Sequence, residues 1–224
     1  MDGFDEPVTL VRRRDAVRLT LRIDPRTSAI RVTAPLGLSE REVARFVARH
    51  RGWIEKRRAA APAGRGFADG AVVPLLGVDH LIRHVPDQGV PVTRADGELR
   101  VGGDADFLAR RLRDWLVAEA RRELSDRARA KAVRIDRRVA GISVRDTRSR
   151  WGSCSSQGRL NFSWRLILAP EPVLDYVVAH EVAHLAEMNH GPRFWSLCAD
   201  LAEADVAGAK GWLKRHGAGL HRYG

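Results

Sequence analysis

The chain has 224 residues, 44% hydrophobic and 30% charged, which fits one large or two small globular domains and excludes a disordered chain. No apolar run is long enough to span a bilayer, so no membrane role is expected, and the acidic start Met1-Asp2-Gly3-Phe4-Asp5-Glu6 lacks the apolar core of a secretory signal, which makes the cytoplasm the expected location. The net charge of +11 is unevenly placed: residues 151–224 hold seven Lys/Arg and seven Asp/Glu, so the whole excess lies in residues 1–150. A basic lobe of this kind predicts either a nucleic acid partner or an arginine-rich solvated surface.

The first hundred residues read mainly as strands. Val17, Leu19, Leu21 and Ile23 alternate with polar residues, Asp24-Pro25-Arg26-Thr27-Ser28 is turn chemistry, and Ile30 and Val32 resume the alternation. Ser39 and Glu42 form a capping box, followed at helical spacing by Val43, Phe46, Val47, His50 and Ile54. Ala61–Gly70 reads as a loop. Short strands are expected around Val72–Leu76 and Leu81–Val85, and Asp96-Gly97 signals a hairpin before Leu99–Val101.

The pattern changes at Gly102-Gly103-Asp104. Leu108, Leu112, Trp115, Leu116 and Leu124 share one face of a long helix whose other side is basic. Ile142 and Val144 read as a short strand. Leu160, Phe162, Trp164, Leu166 and Leu168 read as a longer one, paired through a Gln157-Gly158 turn with Arg148–Cys154. Pro170-Glu171-Pro172 opens a helix with the apolar stripe Leu174, Val178, Val182 and Leu185. Cys154 and Cys198 lack the paired spacing of a thiolate metal site and are expected as reduced thiols.

That last helix carries the chemistry. His180 and His184 are four apart, so both imidazoles face one side and can point at one ion. Glu181 stands one step round the helix, where it can reach a water activated by the ion without ligating the ion itself. Two histidines and a glutamate on an otherwise apolar helix need a reason, because burying them unsatisfied is costly. A catalytic zinc needs a third protein ligand and an open position. His190 is the leading candidate, held by the short Met188–Gly191 turn before a helix that starts at Pro192 with Phe194, Leu197 and Leu201 on one face. Glu203, nineteen residues after His184, is the rival.

The run from His180 to Trp195 (His-Glu-Val-Ala-His-Leu-Ala-Glu-Met-Asn-His-Gly-Pro-Arg-Phe-Trp) closely resembles the YgjP-type metal-dependent hydrolases, relatives of the SprT-like and WLM zinc metallopeptidases. Arg150-Trp151-Gly152-Ser153-Cys154-Ser155 with Asn161-Phe162 looks like that family's second signature, and Pro35 and Trp53 fit its N-terminal part. The resemblance implies one zinc per chain on His180, His184 and His190, with catalysis by Glu181. It leaves the substrate open. The expected fold class is α+β: a basic β-rich lobe with one helix over 1–103, and a zincin-like catalytic lobe over 104–224 built from the long basic helix, a β-hairpin and the HExxH helix. Arg150, Ser153 and Asn161 are candidate substrate-binding residues, with Arg150 a candidate oxyanion donor, and core packing is expected for Trp151 and Trp164. Three activities follow: hydrolysis of peptides, hydrolysis of a phosphate anhydride in a small anionic substrate such as a nucleotide, or proteolysis beside a nucleic acid bound by the basic lobe.

Overall fold

The computed structural model describes residues 8–23, 30–59 and 65–224, with side chains given as far as Glu55 in the second stretch. The acidic start, the turn expected at Asp24–Ser28 and the Ala61–Gly64 part of the expected loop lie outside these residues. The architecture is α+β, with three small sheets and six α-helices among the described residues. It divides into two compact units, residues 1–64 and 65–224.

In the first unit, β1 (Val8–Arg13), β2 (Thr20–Ile23) and β3 (Ile30–Pro35) form a sheet of order β1-β3-β2, with β1 parallel and β2 antiparallel to β3. The Ser39–Glu42 capping box is formed and starts α1 (Glu40–Arg49). The single helix expected here is two, because His50 leaves helical geometry (φ −97°, ψ 8°) and α2 (Arg51–Ala59) starts after it. The apolar spacing runs across this break because Val43, Val47 and Ile54 all pack on Ile30, Val32 and Ala34. The alternation puts the polar residues of the strands on the opposite face of the sheet. There Arg22 and Arg31 are directly opposite across β2 and β3, and Thr20 pairs with Thr33. Like charges directly opposite destabilise a strand pair, so the sequence keeps these arginines at some cost.

The second unit begins at Arg65, earlier than the boundary expected at Gly103. Its four-stranded sheet, in the order β4 (Val72–Leu75), β5 (Val78–Val85), β7 (Glu98–Gly102) and β6 (Val92–Ala95), shares one core with the rest of the unit. Val73, Ile82, Leu99 and Val101 are fully buried in that core together with Leu108, Leu112 and Leu116 of α3 (Leu108–Arg134). The composition change at Gly102-Gly103 therefore marks a turn into the long helix and not a domain boundary. The Asp96-Gly97 hairpin forms as expected, with both residues in the left-handed region (φ 52° and 75°) that this turn requires.

A three-stranded sheet of order β8 (Gly141–Arg145), β10 (Arg159–Ser163), β9 (Gly152–Cys154) follows. The long strand expected over Leu160–Leu168 stops at Ser163, and Trp164–Leu168 is a 3-10 turn with all five residues buried. Alternation misleads here because both sides of the segment are covered. Arg165, fully buried, looks like an outward strand position but is bound by the Asp146 carboxylate and by the carbonyls of Leu220 and Tyr223. Three helices complete the unit: α4 (Glu171–Ala183), α5 (Pro192–Leu201) and α6 (Val206–Leu220). No helix among the described residues is long and apolar enough to cross a membrane.

Helix α4 is buried almost throughout, and packs against α3, α5, α6 and β9. Its polar Asp175 is held by buried Lys131 of α3, Nζ to Oδ1 2.7 Å, and its other oxygen accepts from the Glu203 amide. Lys131 also donates to the Leu201 carbonyl at 2.7 Å, which ties the ends of α3, α4 and α5 together. Breaking one partner of such a pair leaves an uncompensated buried charge. Lys131→Ala is expected to lower unfolding free energy by about 3–5 kcal/mol, read by urea denaturation. A loss under about 1 kcal/mol, the size of a surface pair, would show that the tie does not hold α4.

Candidate metal centre

Helix α4 ends at Ala183, and the chain then turns tightly, with the amides of Leu185, Ala186 and Glu187 donating to Val182 and Ala183. After Asn189, whose carbonyl accepts from the Gly191 amide at 2.7 Å, Pro192 opens α5. This turn brings the His190 ring back beside those of His180 and His184, with centroids 5.0 and 4.7 Å away. The ligand-capable atoms of His180, His184 and His190 lie within 4.8 Å of one another. Nε2 of His180 and Nε2 of His190 face each other at 3.1 Å. Two nitrogens on one tetrahedral zinc at the usual bond length stand ~3.3 Å apart, so the pair fits an ion between them. His184 turns Nδ1 to the Glu187 carbonyl at 3.1 Å, which fixes that nitrogen as the donor and leaves Nε2 for a ligand.

The surroundings favour the neutral rings of His180 and His184. Burial, then the neighbouring His184 and His190 and the cation of Lys210, push His180 down to about 4. Burial likewise lowers His184. A neutral ring offers the lone pair that a metal needs. Phe194, fully buried, packs under all three rings with centroid distances of 4.9, 4.5 and 4.6 Å. Trp195 stands beside His180 and His190, and Lys210 of α6 lies over its indole at 4.7 Å.

The three histidines open into a cleft of about 530 Å³, whose lining also includes Glu181, Arg150, Gly152, Ser153, Cys154 and Met188. Glu181 is only 5% exposed, and burial pushes its carboxyl up to about 7 against the opposing pull of Arg150. The Cys154 thiol is pushed up to about 11 by burial and by Glu181, so it stays protonated. Both cysteines are free. Of the candidate substrate residues, Arg150 and Ser153 reach the cleft. Asn161 does not line it: its side chain accepts from the Ser143 hydroxyl at 2.9 Å, in the same sheet. Glu203 is outside the histidine group, exposed and 3.5 Å from Lys131. Trp151 does more than pack in a core: its ring stacks on His221, just after α6, at 5.1 Å, and its carbonyl accepts from the Ser163 amide. The sequence gives no signal for Phe194 as the floor of the histidine cluster, beyond its place on an apolar stripe. It gives none for the closeness of Gly152 to Glu181.

A cluster of three imidazoles beside a buried carboxylate of raised pKa is the equipment of a metal-dependent hydrolase. The family model described as YgjP-like, metallopeptidase domain, matches residues 17–216, and the chain belongs to that family. No curated protein and no solved structure gives a match to it.

The Glu181 carboxyl yields a test in metal-free protein. Its folded pKa lies above its ordinary value of 4.5, so it favours the fold in its protonated form. That contribution is complete below pH 4.5 and is lost as the pH rises through about 7. Glu181→Gln, which does not titrate, should therefore unfold later than wild type at pH 8, by about 1–3 kcal/mol, with the gap closing toward pH 4.5. Stability curves that stay parallel from pH 4.5 to 8 would exclude the raised pKa.

Proposed function

We propose that the protein is a zinc-dependent peptidase in which His180, His184 and His190 hold the ion and Glu181 is the general base. The observation that carries this reading is the 3.1 Å approach of two imidazole Nε2 atoms in a cleft that also holds a buried carboxylate. Held by these three histidines, zinc would supply Lewis acidity to the scissile carbonyl and to the attacking water.

The chain's own residues supply the rest. Glu181 takes the proton of the attacking water, and a carboxyl with a raised pKa holds that proton long enough to return it to the leaving amine. Arg150, at the cleft and within electrostatic reach of Glu181, is the candidate donor to the developing oxyanion. Strand β9 is the edge of its sheet. The Ser163 amide bonds the Trp151 carbonyl, and the Ser155 amide bonds the Arg159 carbonyl, so residues 151, 153 and 155 point their main-chain groups at β10. By alternation, Gly152 and Cys154 turn theirs to the open edge. An extended peptide added there pairs its main chain with these groups and passes the histidine cluster.

One set of variants tests the roles. His180→Ala and His184→Ala should lose zinc and His190→Ala should weaken its binding, while Glu203→Ala keeps it, by metal analysis of purified protein. Glu181→Gln should keep zinc and lose about 10²–10⁴-fold in turnover in a screen of peptide libraries and nucleotides. Full zinc in the first two variants, or wild-type turnover in Glu181→Gln, overturns the assignment. Turnover confined to nucleotides overturns the peptidase reading alone.

The Arg22–Arg31 pair favours a second role for the first unit, in holding a nucleic acid backbone. Neutralising two arginines that contact phosphates should lower the slope of log affinity against log salt by about 2. The measurement is binding of a short DNA duplex by wild type and by Arg22→Gln/Arg31→Gln. An unchanged slope removes that face from the interface.

A further inference from the structure

Gly152 lies in a regular strand, paired with Phe162, and its φ is not positive. Nothing in its backbone requires glycine. The requirement comes from across the cleft. A Cβ at Gly152 would stand 2.5 Å from Oε1 of Glu181, 2.6 Å from its Cγ and 2.8 Å from its Cδ. All three distances are shorter than any real contact of a Cβ. The Glu181 side chain therefore lies flat against the bare main chain of β9.

The Cγ contact is the decisive one. A carboxylate can swing away by rotating its outer torsions, but Cγ is fixed by χ1, and α4 is packed on several sides. Making room for a Cβ therefore means changing the rotamer that aims the carboxylate. We propose that Gly152 is a positioning residue for the base: the empty space at its Cα is the seat that holds Glu181 beside the histidine cluster. This rests on the reading of Glu181 as the base. It also assigns a role to the glycine of the Arg150–Ser155 signature. Any side chain at this position competes with the catalytic carboxylate for the same volume.

The test uses the full-length zinc-loaded protein as wild type, Gly152→Ala, Glu181→Ala, Glu181→Gln and the double variants. Removing the Glu181 side chain beyond Cβ removes the three atoms nearest to the new methyl. Gly152→Ala should therefore lower Tm by several degrees in the wild-type background and hardly at all in Glu181→Ala. If Gly152→Ala fails to fold, Gly152→Ala/Glu181→Ala should fold. Equal Tm losses in both backgrounds, or a double variant that also fails to fold, overturn the contact.

Function is read two ways. On a peptide found by the screen, Gly152→Ala should keep zinc and KM while kcat falls about 10–100-fold, the usual cost of misplacing a reacting group by about an ångström. The same change should cost nothing further in Glu181→Gln. Acetohydroxamate, a zinc chelator whose acidic proton needs a carboxylate to receive it, serves as a probe without turnover. Its affinity by calorimetry should fall in Gly152→Ala and in Glu181→Gln, with the double variant no weaker than Glu181→Gln. An equal further loss in the Glu181→Gln background overturns the positioning role. Wild-type turnover by Glu181→Gln overturns the base itself, and the Tm comparison still decides the contact.

Discussion

The structure depends on burying α4, a helix that is apolar almost all round yet carries the groups of the site. Polar groups in such a helix are tolerable only with partners or with an opening to solvent. Asp175 has its partner in Lys131 and its second bond from the Glu203 amide. His180, Glu181 and His184 have the opening: they lie in the last turn of the helix or at its end, where the chain breaks into the cleft. The rest of the second unit can be understood as what it takes to surround one helix. The core of α3 and the four-stranded sheet lies behind it, the 3-10 turn sits at its start, and α5 and α6 cover its sides.

Burial also sets the charge states. The environment that lowers His180 and His184 raises Glu181, because a low-dielectric wall disfavours a charge of either sign. A neutral ring can ligate a metal and a carboxyl of raised pKa can exchange a proton, so one physical effect suits both halves of the site to the proposed roles. The same wall keeps Cys154 a thiol although it lines the cleft, so it does not compete with the imidazoles as a thiolate.

How far the sequence could be read follows from the range of the interactions involved. The capping box at Ser39, the Asp96-Gly97 turn, the stripe of α3 and the histidine spacing are local, and each was legible because residues within one or two turns determine it. His190 was legible for the same reason, since the turn that holds it is short. What escaped depends on contacts distant in sequence. The 3-10 turn after Ser163 has the apolar alternation of a strand, and only the Asp146 carboxylate and the last carbonyls of the chain show why Arg165 is buried there. Helix α6 carries Gly208, Gly211, Gly217 and Gly219, which argue against a helix by propensity. One of them is needed for packing: at Gly217 a side chain would press on the Trp151 indole, at 3.0 Å. The boundary after Gly64 was hidden because strands on both sides of it look alike in sequence and differ only in which core they enter.

The helix also explains the division of labour within the motif. Successive residues turn by about 100°, and residues four apart return to nearly the same side. His180 and His184 therefore share the side that meets the His190 turn, while Glu181 is rotated onto the wall formed by β9. The two walls have opposite needs. The histidine wall must be filled, and Phe194 and Trp195 pack closely around the rings so that their nitrogens converge. The β9 wall must be empty at one point, because the carboxylate has to lie close to the strand and still face the cleft. Aromatic bulk on one side and a missing side chain on the other thus follow from the same constraint, a helix that must aim adjacent residues at different targets.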